Sequence, residues 1–132
     1  MALVKGYFDE LHFTESTISD FKFLGNDLII HIESGLAIYG EHPLSGNLTM
    51  SESCHVIFKN VIFSERDLDI YAGDPKTDGF KGTQKIIDDV NQPATDKNYQ
   101  EYSIEGVLLQ KPTAWVTWDI VAEEFYIDDL KE

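Results

Sequence analysis

Apolar and polar positions alternate with a period of two along much of this chain, the pattern of strands that bury one face and leave the other toward solvent. The run Leu28-Ile29-Ile30-His31-Ile32-Glu33 puts Leu28, Ile30 and Ile32 on one face and Ile29, His31 and Glu33 on the other. Ile30 is therefore assigned to the core. Thr17–Leu24 precedes it across Gly25-Asn26-Asp27, residues that tolerate positive φ, so the two segments predict a β-hairpin. Gly35 separates Leu36-Ala37-Ile38-Tyr39, a further strand ending near Gly40. From Cys54 to Phe63 both faces carry apolar groups, which predicts a central strand. Leu68–Ala72 reads as a separate, shorter strand before a surface loop at Gly73–Gly79.

Gln84–Val90 stays open between a single helical turn and a strand, because Ile86, Ile87 and Val90 suit the first and Ile86-Ile87 the second. Asn91–Asn98, with Pro93, reads as a loop. Tyr99–Gln110 and Ala114–Asp128 resume β character across the turn Lys111-Pro112-Thr113. In the last segment Val116, Trp118, Ile120 and Ala122 share one face, whereas Phe125 and Ile127 have the opposite parity. That change of phase predicts a bulge near Glu123 and Glu124. The fold class is accordingly all-β, or mainly β with at most one short helix, as an antiparallel sandwich or partly closed barrel of about seven to nine strands. Residues 1–132 form a single domain, long enough to bury a core without disulfides or metal.

Charge changes the picture most. The 132 residues carry 24 acidic side chains against 10 basic ones, a net charge of −14, and Arg66 is the only arginine. The excess is heavier after residue 66. Nucleic-acid binding needs concentrated Lys and Arg, so direct DNA or RNA recognition is disfavoured and a basic partner is favoured. No apolar run reaches the length of a membrane span, Cys54 has no second cysteine with which to pair, and acids follow closely on the N-terminus, so a cytoplasmic location is expected.

Candidate chemistry is sparse. His12, His31, His42 and His55 lack the close spacing by which a helix or hairpin aims imidazoles together. Cys54 and His55 are adjacent and would point to opposite faces of a strand, which prevents a thiolate–base pair. Gly73–Gly79 only partly matches a calcium loop, since Lys76 and Lys85 stand where oxygen ligands are needed. A looser site of Asp67, Asp69, Asp74 and Asp78 makes calcium the one cofactor to consider. Carboxylate pairs drawn from Glu101, Asp119, Glu123 and Glu124 could be imagined for glycoside hydrolysis, but so many acids pair by chance. No phosphate loop or nucleophile elbow occurs.

Trp115 falls opposite Val116, Trp118 and Ile120, beside Thr117 and Asp119. It is either an exposed aromatic anchor, with Asp119, Glu123 and Glu124 supplying charge toward a basic partner, or part of a second packed layer. Leu11-His12, the hairpin ending GNDLIIHI, the segment VIFKNVIF and the closing WVTWDIVAEEFYID together resemble small β-rich bacterial immunity proteins of toxin-immunity systems. The resemblance implies a cytoplasmic, non-catalytic inhibitor, and an acidic one would suit a basic nuclease. The alternatives are a carbohydrate- or calcium-dependent β module and, third, a small hydrolase.

Overall fold

The computed structural model describes residues 2–6, 8–13, 16–38, 53–74, 79–90, 98–110 and 113–129. Its strands are β1 (Ala2–Lys5), β2 (Leu11–His12), β3 (Thr17–Leu24), β4 (Asp27–Ser34), β5 (Ala37–Ile38), β6 (Cys54–Tyr71), β7 (Phe80–Ile87), β8 (Gln100–Leu108) and β9 (Ala114–Asp129). A 3-10 turn at Phe8–Glu10 is the one helical element among the described residues, and no helix there is long and apolar enough to cross a membrane. The expected segments near Gly40, at Asn91–Lys97 and at Lys111-Pro112 lie outside the described residues.

Strands β3, β4, β6, β9 and β8 close into a five-stranded barrel. Four of the five junctions are antiparallel, and β3 meets β8 in parallel through Thr17↔Val107 and Ile18↔Leu108. The mainly-β, partly closed barrel expected from sequence is what forms, with one parallel seam among its antiparallel junctions. The reason is parity: five strands around a closed ring cannot all alternate in direction, so at least one neighbouring pair must run the same way. Gly106 allows the chain to come this close, since a Cβ there would stand 2.5 Å from Ser16 Oγ and 2.7 Å from Ser16 O. Across the seam Val107 N donates to Ser16 O and Leu109 N to Ile18 O.

The hairpin forms as its turn residues predict, with Gly25 at φ 64° between β3 and β4. Leu28, Ile30 and Ile32 are fully buried, and they meet Val56, Phe58, Trp118, Ile120 and Ile127 in the barrel interior. The 3-10 turn adds Phe8, which packs edge-on against Tyr102 and Phe125. This burial of aromatic and branched side chains is the main force holding the barrel together.

Two expectations about strand boundaries change. Cys54–Phe63 and Leu68–Tyr71 are parts of one 18-residue strand, β6, which ends before Ala72 and whose polar middle Ser64-Glu65-Arg66-Asp67 is flanked by β9 and β7 on either side. Gln84–Ile87 belongs to a strand, because Ile86 and Ile87 pair with Arg66 and Glu65. At the other end of the prediction, Ala122 and Phe125 are both buried, so the phase change in β9 is real. The register break, however, lies in β6 between Val61 and Phe63, opposite Ala122 and Val121, next to Asn60 at φ 55°.

The inward-facing residues of that polar middle, Ser64 and Arg66, find partners inside the barrel. Arg66 donates from Nη2 to Asp88 Oδ1 at 2.7 Å and from Nε to Oδ2 at 3.2 Å. Ser64, fully buried, donates to Asp88 Oδ2 at 2.6 Å and accepts from Trp118 Nε1 at 2.9 Å. The guanidinium also lies 4.6 Å from the centroid of the Phe21 ring. A two-pronged, hydrogen-bonded ion pair is the form in which a charge tolerates burial.

Candidate functional site

Backbone register arranges the outward side chains of β7, β6, β9 and β8 in rows. Glu65 stands opposite Asp119, which stands opposite Ser103; Asp67 faces Thr117, and Thr117 faces Glu105; Asp69 faces Trp115, and Trp115 faces Val107. Phe63, Val121 and Glu101 make the row beyond. These residues share one side of the barrel wall because their inward neighbours Leu68, Val116, Trp118, Ile120, Tyr102 and Ile104 are buried. The result is a face with carboxylates in the middle and aromatic or branched side chains toward both ends. A depression of about 420 Å³ beside it is lined by Phe63, Glu101, Ser103 and Asp119 among others.

Trp115 is partly exposed on this face whereas Trp118 is wholly buried, so the two tryptophans divide between surface and core. Asp119 joins Trp115 there. Glu123 and Glu124 do not, because they occupy the step at which β9 changes its inward parity. Glu124 instead pairs with Lys5 of β1 at 2.6 Å and accepts from Tyr126 Oη at 3.0 Å, and Glu123 accepts from Asn60 Nδ2 at 3.1 Å. The Lys5 ammonium, and next the Tyr126 hydroxyl, hold the Glu124 carboxyl below its ordinary range.

The acids considered for calcium are also divided. Asp67 and Asp69 lie on the outer face of β6, Asp74 follows the strand and is exposed, and Asp78 lies outside the described residues. Asp67 groups instead with Glu65 and Asp119, whose carboxylate oxygens lie within 4.8 Å of one another. Glu65 and Asp119 were the members that sequence spacing could not supply, since only the β6–β9 pairing brings them together. Lys85 of β7 already balances part of this charge, with Nζ 3.8 Å from Asp67 Oδ1 and 4.0 Å from Glu65 Oε1.

A second polar row crosses the barrel on β3, β4, β6 and β9. Asp20 pairs in register with His31, His31 with His55, and His55 with Asp128. The two imidazoles lie with centroids 4.9 Å apart at 32°. His31 is held at both nitrogens, Nδ1 by Ser19 Oγ at 2.5 Å and Nε2 by Ser53 Oγ at 2.9 Å. Burial, and then the neighbouring His31, lower the proton affinity of His55. The sequence gives no hint of this pair, because 24 residues separate its members and only the β4–β6 register joins them.

This row does not make a hydrolytic triad. Ser19 and His31 have the contact of a nucleophile and base, but the far nitrogen of His31 is held by a serine rather than by the carboxylate that orients a catalytic histidine. Ser64 is no better placed, being fully buried with its hydroxyl engaged on both sides. Compared with known proteins, the chain matches no family model, no curated protein and no solved structure.

Proposed function

We propose that this chain is a non-enzymatic cytoplasmic binding protein that presents the outer face of β6, β9 and β8 to a basic protein, in the manner of an immunity-type inhibitor. One observation carries the reading: the register sets Trp115 beside Asp69 in the same face as Glu65, Asp67 and Asp119. An aromatic side chain that can be covered by a partner supplies contact area, and surrounding carboxylates attract cationic groups and fix the register of docking. The net charge of −14 strengthens the long-range attraction. A basic nuclease fits this chemistry because its own active site is built to receive phosphate oxygens. The resemblance to toxin-immunity proteins points the same way.

Titration of the full chain against a panel of purified basic nucleases, followed by the partly exposed tryptophan's fluorescence, tests the reading. Binding is expected to weaken steeply as salt rises and to fall at least about tenfold in Asp67→Lys/Asp119→Lys and in Trp115→Ala. Glu123→Lys/Glu124→Lys, off this face, is expected to weaken it far less. Binding indifferent to salt and to the first two variants sinks the proposed face. The Glu65–Asp67–Asp119 group supports calcium-dependent recognition as a second reading, which predicts a thermal shift on adding calcium that Asp119→Asn abolishes.

A further inference from the structure

Away from the acidic face, the row Asp20, His31, His55 and Asp128 combines three features that suit a bound cation. First, two imidazoles occupy directly opposed positions on neighbouring strands, where Cβ atoms are about 5 Å apart and both rings can reach one ion. Second, Asp128, opposite His55 on the other side, keeps a buried Oδ1 with no hydrogen-bond partner among the described residues. A buried carboxylate oxygen left this way carries a desolvation cost that a cation would offset. Third, His31 already has hydroxyl partners on both nitrogens. Whichever nitrogen turned to an ion, the other would retain a serine to orient the ring, as ligating histidines require.

We propose that His31, His55 and Asp128 form a site for a divalent ion of the zinc, nickel or copper type. Two neutral imidazoles and one carboxylate suit these borderline ions and leave a position for water; calcium and magnesium prefer all-oxygen shells. Binding turns the two tilted rings so that one nitrogen of each converges on the ion, His31 exchanging one serine contact for it. Asp20 at the far end of the row adds negative charge, and Lys22, which lines the same depression of about 310 Å³, opposes it.

The test uses the full chain, stripped with chelator and titrated with zinc chloride near neutral pH by calorimetry. In parallel, the imidazole nitrogens are followed by NMR. The expected result is saturable one-to-one binding that magnesium and calcium do not compete away, with zinc moving the nitrogen signals of His31 and His55 and leaving those of His12 and His42 in place. His55→Gln and Asp128→Asn are each expected to weaken binding at least about tenfold. No saturable binding, equal competition by calcium, or shifts confined to His12 or His42 overturns the site. The NMR result on the unaltered chain decides the matter even where a variant fails to fold. It is also independent of the acidic face, which the nuclease titration tests separately.

Discussion

Arg66, the one arginine of a strongly acidic chain, faces inward and is answered by Asp88, with side chains only 13% and 11% exposed. A pair this buried contributes little over an apolar substitute of equal shape, but removing one partner strands the other. Asp88→Ala therefore leaves a guanidinium without its carboxylate between Phe21 and Trp118 and also deprives Ser64 of its acceptor. The expected loss is about 3–5 kcal/mol, read as a fall in the urea midpoint at unchanged slope. A loss under about 1 kcal/mol would mean that water or another acid replaces Asp88. The inward role of Arg66 was not legible in the sequence, where Ser64-Glu65-Arg66-Asp67 reads as a polar break between strands. Its residues become strand only because β7 and β9 pair with them and Asp88 arrives from the end of β7. That Trp115 and Trp118 take opposite faces was legible, since residues three apart in an extended strand point to opposite sides, whereas the partial exposure of Trp115 was not.

Within the seven-stranded sheet, the β3–β8 junction and β1 are the lightest attachments. At the first, Gly106→Ala forces a methyl group against Ser16 Oγ and O, both closer than a real Cβ tolerates. The expected cost is about 1–3 kcal/mol, with faster hydrogen exchange concentrated at Val107 and Leu109. Exchange accelerated equally throughout the barrel would show that the junction does not open on its own. At the second, β1 pairs among the described residues with β9 alone and is tied by Lys5 to Glu124. The folded-state pKa of Glu124 lies below its ordinary value of 4.5, so its contribution is present above that value and is lost as pH falls through the lowered one. Acidification below about pH 4.5 is expected to loosen β1 amides before those of β4 in exchange measurements, and Glu124→Gln to loosen them at neutral pH as well. The hairpin of β3 and β4 was readable because both its pattern and its turn are local. The β6–β9 and β4–β6 registers, which assemble the acidic face and the histidine row, join residues far apart in sequence and leave no local trace.

For the molecule as a whole, an odd ring determines more than shape. Its one parallel junction joins segments whose hydrogen-bonded residues, Ser16 and Glu105, stand 89 positions apart. Joining such distant parts costs chain entropy before any contact repays it, which slows folding. During synthesis β3 and β4 emerge early, yet the edge that β8 will cover stays open until most of the chain has been made. Pulse-labelled refolding is expected to protect the amides of Val107 and Leu109 after those of the β3–β4 hairpin, and the reverse order would contradict this course. The barrel is thus an object that cannot exist in part: its first-made strand waits, with Ile18 uncovered, for a partner near the other end of the message.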